Sequence, residues 1–190
     1  MEDRVDSIFK EASELHEKLS ILTPVITKTA GVMIECIKKS GKIMFAGNGG
    51  SAADSQHLAA ELIGRFMKDR NPMAGIALTT NTSIISAVAN DYLFDDIFSR
   101  QVEGLGKPGD VFLGISTSGN SPNILKAIEA AKSIGIITIG LTGNGGGKMA
   151  QAVDYLIDVP YKGKSARIQE VHILIGHVLC ELIEDAVLSV

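Results

Sequence analysis

Cysteine is scarce in this sequence, charge of either sign is nearly balanced, and no long apolar run is present; each shortage removes a class of function. The two cysteines, Cys36 and Cys180, are far apart, lie in segments that read as buried helix, and lack metal-ligand spacing. They are expected as reduced core thiols, not as a disulfide. Lys and Arg total 18 against 22 Asp and Glu, so there is no basic footprint for a nucleic-acid backbone. The longest apolar run, Ile173 to Cys180, is interrupted by His177 and falls far short of the ~20 residues of a bilayer span. Met1-Glu2-Asp3-Arg4 does not begin a basic, then apolar, secretory leader. These shortages lead us to expect a cytoplasmic protein with no membrane and no nucleic-acid partner.

The chain of 190 residues is long enough for one domain with a sizeable core, and a single domain over 1–190 is expected. Residues 1–40 read as helix, with Ile8, Leu15, Leu19 and Leu22 at helical spacing and Pro24 marking a break. Five β-rich runs follow at Lys42–Ala46, Gly75–Thr79, Asp110–Ile115, Ile136–Leu141 and Tyr155–Val159. Each of the first four leads through a Gly, Ser, Thr or Asn-rich turn into a helical pattern, as parallel strands with helical crossovers require. The runs are almost continuously apolar, which suits strands covered on both faces. The expected fold is α/β, a three-layer α/β/α sandwich on a five-stranded parallel sheet with a helical N-terminal extension. Ile168, Val171, Ile175, Leu179, Leu182 and Ile183 mark a closing amphipathic helix over 166–188 with room for a partner surface.

Ligands of open parallel sheets bind beyond the carboxyl ends of the strands. Two turns there are unusual. In Gly47-Asn48-Gly49-Gly50-Ser51 the glycines permit close backbone approach and Ser51 is placed to cap the next helix. In Ser116-Thr117-Ser118-Gly119-Asn120-Ser121-Pro122 four hydroxyl groups precede a proline suited to the first position of a helix. Together they point to a small phosphate held by neutral donors and a helix N-terminus. The first loop also fits a relaxed dinucleotide pattern, Gly47-x-Gly49-x-x-Ala52, but Leu78-Thr79-Thr80-Asn81 offers no acid for a ribose. No nucleotide cofactor is expected. A P-loop is excluded because no Gly-Lys-Ser/Thr follows the glycines.

His57 and Glu61, four residues apart after the first loop, share one helix face about 6 Å apart along the axis. Gln169 and His177 on the closing helix differ by about 80° around it and ~12 Å along it. They cannot readily serve one atom from one helix, so a site using both would draw one of them from another subunit. His172 reads as a structural histidine. A carboxylate and an imidazole either side of a carbonyl sugar suit aldose–ketose isomerisation, with one removing a proton alpha to the carbonyl and the other protonating the enediol. The residues alone do not say which group faces which carbon.

The motifs Gly47-Asn48-Gly49-Gly50-Ser51, His57-Leu58-Ala59-Ala60-Glu61, Asn90-Asp91, Ser116-Thr117-Ser118-Gly119-Asn120-Ser121 and Arg167-Ile168-Gln169-Glu170-Val171-His172 resemble, in this order, the bacterial phosphoheptose isomerases of the SIS family. That resemblance implies conversion of D-sedoheptulose 7-phosphate to D-glycero-D-manno-heptose 7-phosphate, the entry to nucleotide-activated heptose for surface polysaccharide such as lipopolysaccharide. It further implies Glu61 as general base and His177 as general acid. Asn48, Gly49, Gly50, Ser51, Glu61, Arg65, Asn90, Asp91, Ser116, Thr117, Ser118, Ser121 and Gln169 would contact substrate. His57, Glu61, Gln169 and His177 would bind one zinc ion per subunit. The same resemblance implies a homotetramer with sites at subunit interfaces, residues 1–40 packing within it. Ala166 stands where some relatives have Asp, which removes any catalytic help from that position. Two alternatives remain open: a non-catalytic SIS protein bound to a replication initiator or another protein, whose known example looks to lack the Glu and His pair, and a site for pentose or hexose phosphates.

Overall fold

The apolar runs become strands because both faces of each are buried. In the computed structural model, which describes residues 1–188, five strands form one all-parallel sheet: β1 (Ile43–Gly47), β2 (Gly75–Ala77), β3 (Val111–Ile115), β4 (Ile137–Gly143) and β5 (Tyr155–Val159). Their order is β2-β1-β3-β4-β5. Ile43 and Phe45 of β1 turn to one layer of helices, Met44 and Ala46 to the other. The first layer contains α2 (Thr23–Lys38), α3 (Gly50–Ile63) and α8 (Ser165–Leu188), and the second α4 (Thr82–Asp91), α5 (Ser99–Leu105) and α6 (Pro122–Ile134). The short α7 (Met149–Ala152) joins the second layer through Met149. This is the expected three-layer α/β/α sandwich.

Each expected strand lies on an observed one, with ends moved by no more than two residues, and the differences have local causes. Lys42 and Asp110 were read as strand starts. Instead the Lys42 amide donates to Asp110 Oδ1 at 3.0 Å and the Lys42 ammonium pairs with Oδ2, drawing both side chains below the sheet. β2 ends early because the Thr80 hydroxyl bonds back to the Ala77 carbonyl at 3.1 Å and the Thr79 hydroxyl reaches the Ala52 carbonyl.

The N-terminal segment departs further from expectation. α1 (Glu2–His16) buries only Leu15, but α2 buries Thr29, Ala30, Met33 and Cys36. α2 is therefore a full member of the sandwich and not part of an appended preface. Pro24 sits in the first turn of α2, where a missing N–H costs nothing, and the break falls before it, around a 3-10 turn at Leu19–Leu22. Residues 2–38 include a window of mean hydropathy 1.3, apolar enough to cross a bilayer by composition, 28 % of it buried in the protein.

Two features place the site. The chain leaves β1 for β2 on one side and returns to β3 on the other, so the strand order reverses between β1 and β3 and opens a crevice beyond their carboxyl ends. In the first layer α3 and α8 run alongside in the same direction: Gly50 lies against Gln169, His57 against His177, and Phe66, just past α3, against Glu184.

Candidate active site

The crevice is built from the two loops singled out in the sequence. Gly49, at φ 57°, is the N-cap of α3, a left-handed conformation that glycine adopts without steric cost. Ser51 was expected as the cap. It lies instead inside the first turn, buried, with its carbonyl accepting the Ser55 hydroxyl at 2.8 Å. The N-terminal turn of this 14-residue helix brings backbone amides and the positive end of the helix dipole to the crevice.

Across from it, Ser116 follows β3 directly and Pro122 opens α6, as anticipated. The Ser116 and Ser121 hydroxyls pair at 2.9 Å, the Gly119 amide closes a turn onto the Ser116 carbonyl at 3.0 Å, and the Ser118 hydroxyl accepts the Asn120 amide at 3.2 Å. Gly119 has φ 63°, and a Cβ there would fall 1.9 Å from the Gly146 carbonyl oxygen. The loop after β4 is thus packed hard against the serine loop, fixing its shape. The loops at the ends of β1 and β3 are joined by a reciprocal amide pair, Asn48 and Asn123 each donating to the other at 2.9 Å.

The groups able to move protons meet between α3 and α8. His57 Nε2 is 3.0 Å from Glu61 Oε1 and 3.0 Å from His177 Nε2. All three donor atoms lie within 4.8 Å of one another. The Phe66 ring, 5.5 Å from that of His177 by centroid, closes one side. Two imidazole nitrogens and a carboxylate oxygen at this spacing fit a divalent metal, since donors about 2.1 Å from one tetrahedral ion stand ~3.4 Å from each other. The fourth expected ligand is not in this cluster. Gln169 lies beside the start of α3, where a Cβ on Gly50 would come 2.9 Å from its Nε2, two turns before His177 on the same helix. One chain therefore brings together three of the four expected ligands. Arg65 is exposed just past the end of α3, and Asn90 and Asp91 pair with each other at 2.8 Å at the far end of α4. The length of α4, ~13 Å, separates them from Asn81 at its start.

A family model for the SIS domain matches residues 8–143. A phosphoheptose isomerase from Rhodospirillum rubrum is 54 % identical over 189 residues, covering 100 % of both chains. The chain belongs to the phosphoheptose isomerase family of SIS domains. Another family member, from Aquifex aeolicus, is 49 % identical over 188 residues, covering 98 % of each. The solved structure of the phosphoheptose isomerase from Neisseria gonorrhoeae superposes with a TM-score of 0.92 at 44 % identity, covering 97 % of this chain and 98 % of that one.

Several residues beside the crevice and the cluster escaped the sequence reading. Asn123, buried in the first turn of α6, carried no signal beyond following Pro122. Ser165, at the start of α8, accepts the Thr117 hydroxyl at 3.4 Å. Asp54, one turn before His57, has a buried Oδ2 with no hydrogen-bond partner; burial raises its pKa and the His57 charge opposes the rise. The Cys180 thiol is pushed up to about 12, first by burial and then by the Glu61 charge, so it stays an inert thiol behind the cluster, as both free, buried cysteines were expected to be.

Proposed function

We propose that this chain isomerises D-sedoheptulose 7-phosphate to D-glycero-D-manno-heptose 7-phosphate, with Glu61 as base and His177 as acid. It is an isomerase by family, and one observation carries the assignment of roles: Glu61, His57 and His177 converge on one point between α3 and α8, beside a hydroxyl-rich crevice with no cationic side chain in its loops. The amides of Gly49 and Gly50 and the hydroxyls of Ser51, Ser116, Thr117, Ser118 and Ser121 hold the phosphate as neutral donors. His57 lies seven residues into α3 from Gly50, ~10 Å along the axis, so a sugar anchored by its phosphate must be long to place its carbonyl end at the cluster. This favours a heptose over a pentose phosphate.

Glu61 takes the C1 proton alpha to the C2 carbonyl and returns it to C2, while His177 protonates the C2 carbonyl oxygen to give the enediol and takes back the proton of the C1 hydroxyl as the aldehyde forms. Each such positioned proton transfer contributes roughly 10²- to 10⁴-fold. The meeting of Glu61 and His177 weighs against a purely protein-binding role. His57, Glu61 and His177 suit zinc, with Gln169 of a second copy as a fourth ligand. When bound, such an ion polarises a carbonyl oxygen and steadies the charge that develops on it.

Gln169, Asn90 and Asp91 stand away from the cluster in their own chain. This supports a homotetramer with sites shared between copies, in which they complete a neighbour's site. The exposure of Phe9, Ile21 and Met67, each about two-thirds, supports the same reading, with the N-terminal helix at an interface. The enzyme is proposed to work in the cytoplasm.

Incubation with sedoheptulose 7-phosphate, with and without added zinc, followed by NMR, tests this. Aldoheptose phosphate should form with the natural chain and fall at least 100-fold in Glu61→Gln and in His177→Ala. Undiminished turnover in either variant would remove that residue's role.

A further inference from the structure

Arg70 and Glu184 are not among the residues assigned to the crevice or the cluster, yet both side chains are 1 % exposed and their charges meet at 3.1 Å. Burying such a pair is expensive unless geometry and added hydrogen bonds compensate. Here the compensation is spent on one place. Arg70 Nη2 donates to the carbonyl of Glu61 itself at 2.7 Å, and Nη1 donates to the carbonyls of Leu62, Gly64 and Asn71 at 2.9, 3.3 and 3.1 Å. The Glu61, Leu62 and Gly64 carbonyls are the last of α3 and the turn leaving it, groups without an intrahelical partner, and Asn71 follows Arg70 itself. Glu184, on α8, accepts the amides of Phe66, Met67 and Lys68 at 3.0, 2.8 and 2.9 Å.

We infer that the Arg70–Glu184 pair is a positioning device for the proton-transfer cluster, setting the distance between the Glu61 end of α3 and the His177 face of α8. Glu184 lies two turns beyond His177 on α8, and Arg70 grips the very peptide that carries Glu61. A shift of either helix would open the 3.0 Å approaches of His57 to Glu61 and His177. The amides that Glu184 accepts also fix Phe66, whose ring packs on His177, and the turn that follows Arg65. A lysine at position 70 keeps the charge but cannot reach Glu184 and four carbonyls at once.

This inference rests on the isomerase reading only for its kinetic arm. The chain has 4 histidines, so their ring signals in an NMR spectrum of histidine-labelled protein form a complete readout. His172, fully buried against the Thr142 carbonyl, and His16, on α1, serve as internal controls. In Arg70→Lys, the His57 and His177 signals should move while those of His172 and His16 stay; kcat should fall about tenfold with KM within about twofold. If Arg70→Lys does not fold, Glu184→Gln keeps the shape and an acceptor oxygen for the amides but removes the charge that holds Arg70, and the same pattern is expected. Wild-type ring positions for all four histidines would overturn the inference. So would displacement of all four together, or failure of both variants to fold, since the pair would then hold up the fold generally. If the natural chain does not turn over heptose phosphate, the proposed function falls and the ring signals alone judge the pair.

Discussion

At the scale of single residues, the lesson of this site is that its histidines do different work. His57 and His177 face each other between two helices, their Nε2 atoms 3.0 Å apart beside Glu61. His172 is locked in the core with its Nε2 donating to the Thr142 carbonyl at 3.0 Å. Burial lowers its pKa to about 4, the hydrogen bond to Thr142 opposing only part of the fall from 6.5. Between those values the unfolded chain binds a proton that the folded chain refuses. Stability contributed by neutral His172 is complete above pH ~6.5 and is lost as pH falls toward 4, at up to 1.4 kcal/mol per pH unit. Denaturant unfolding of His172→Gln, which keeps an N–H donor but does not titrate, should show a flatter decline between pH 6.5 and 4 than the natural chain, by about 3 kcal/mol in all. His172 as a structural residue was legible from its apolar surroundings. The pairing of His57 with Glu61 was legible too, because four residues make one helical turn. The approach of His177 was not: it depends on how α8 packs along α3, and helical periodicity says which face is apolar but not which neighbour covers it.

At the scale of elements, the strands were legible wherever the apolar run was continuous, and their ends were not, because side-chain bonds such as Lys42 with Asp110 decide them. The serine loop and Pro122 announced the start of α6. What remained hidden was the link from that helix to the β1 loop, since the two asparagines that make it are 75 residues apart. Asn123 is 2 % exposed, and removing its amide strands Asn48, at a cost of roughly 1–3 kcal/mol. Asn123→Ala should therefore retain its fold and lose about tenfold or more in apparent affinity for the sugar phosphate, with a smaller effect on kcat. Initial-rate kinetics measures this directly. An unchanged KM would mean that the β1 loop holds its shape without help from α6.

At the scale of the whole molecule, the helical start of the chain was legible as helix but not as architecture. α2 proved to be part of a layer of the sandwich, buried through Met33 and Cys36, whereas α1 fully buries only Leu15. If copies of the chain complete each other's sites, dilution should reveal it. Light scattering should report four copies at working concentration, and specific activity should fall at concentrations where the copies separate. Activity that stays constant through dissociation would place the whole site in one chain.

The reversal of strand order has a consequence beyond marking a crevice. It is also a seam: β1 and β2 with their helices lie on one side, β3 to β5 on the other. The cradle amides belong to the first half and the hydroxyl loop to the second. A phosphate gripped by both is a rivet through that seam, so substrate entry should tighten the two halves against each other and resist their parting on heating, by about 2.7 kcal/mol at a hundredfold excess over Kd.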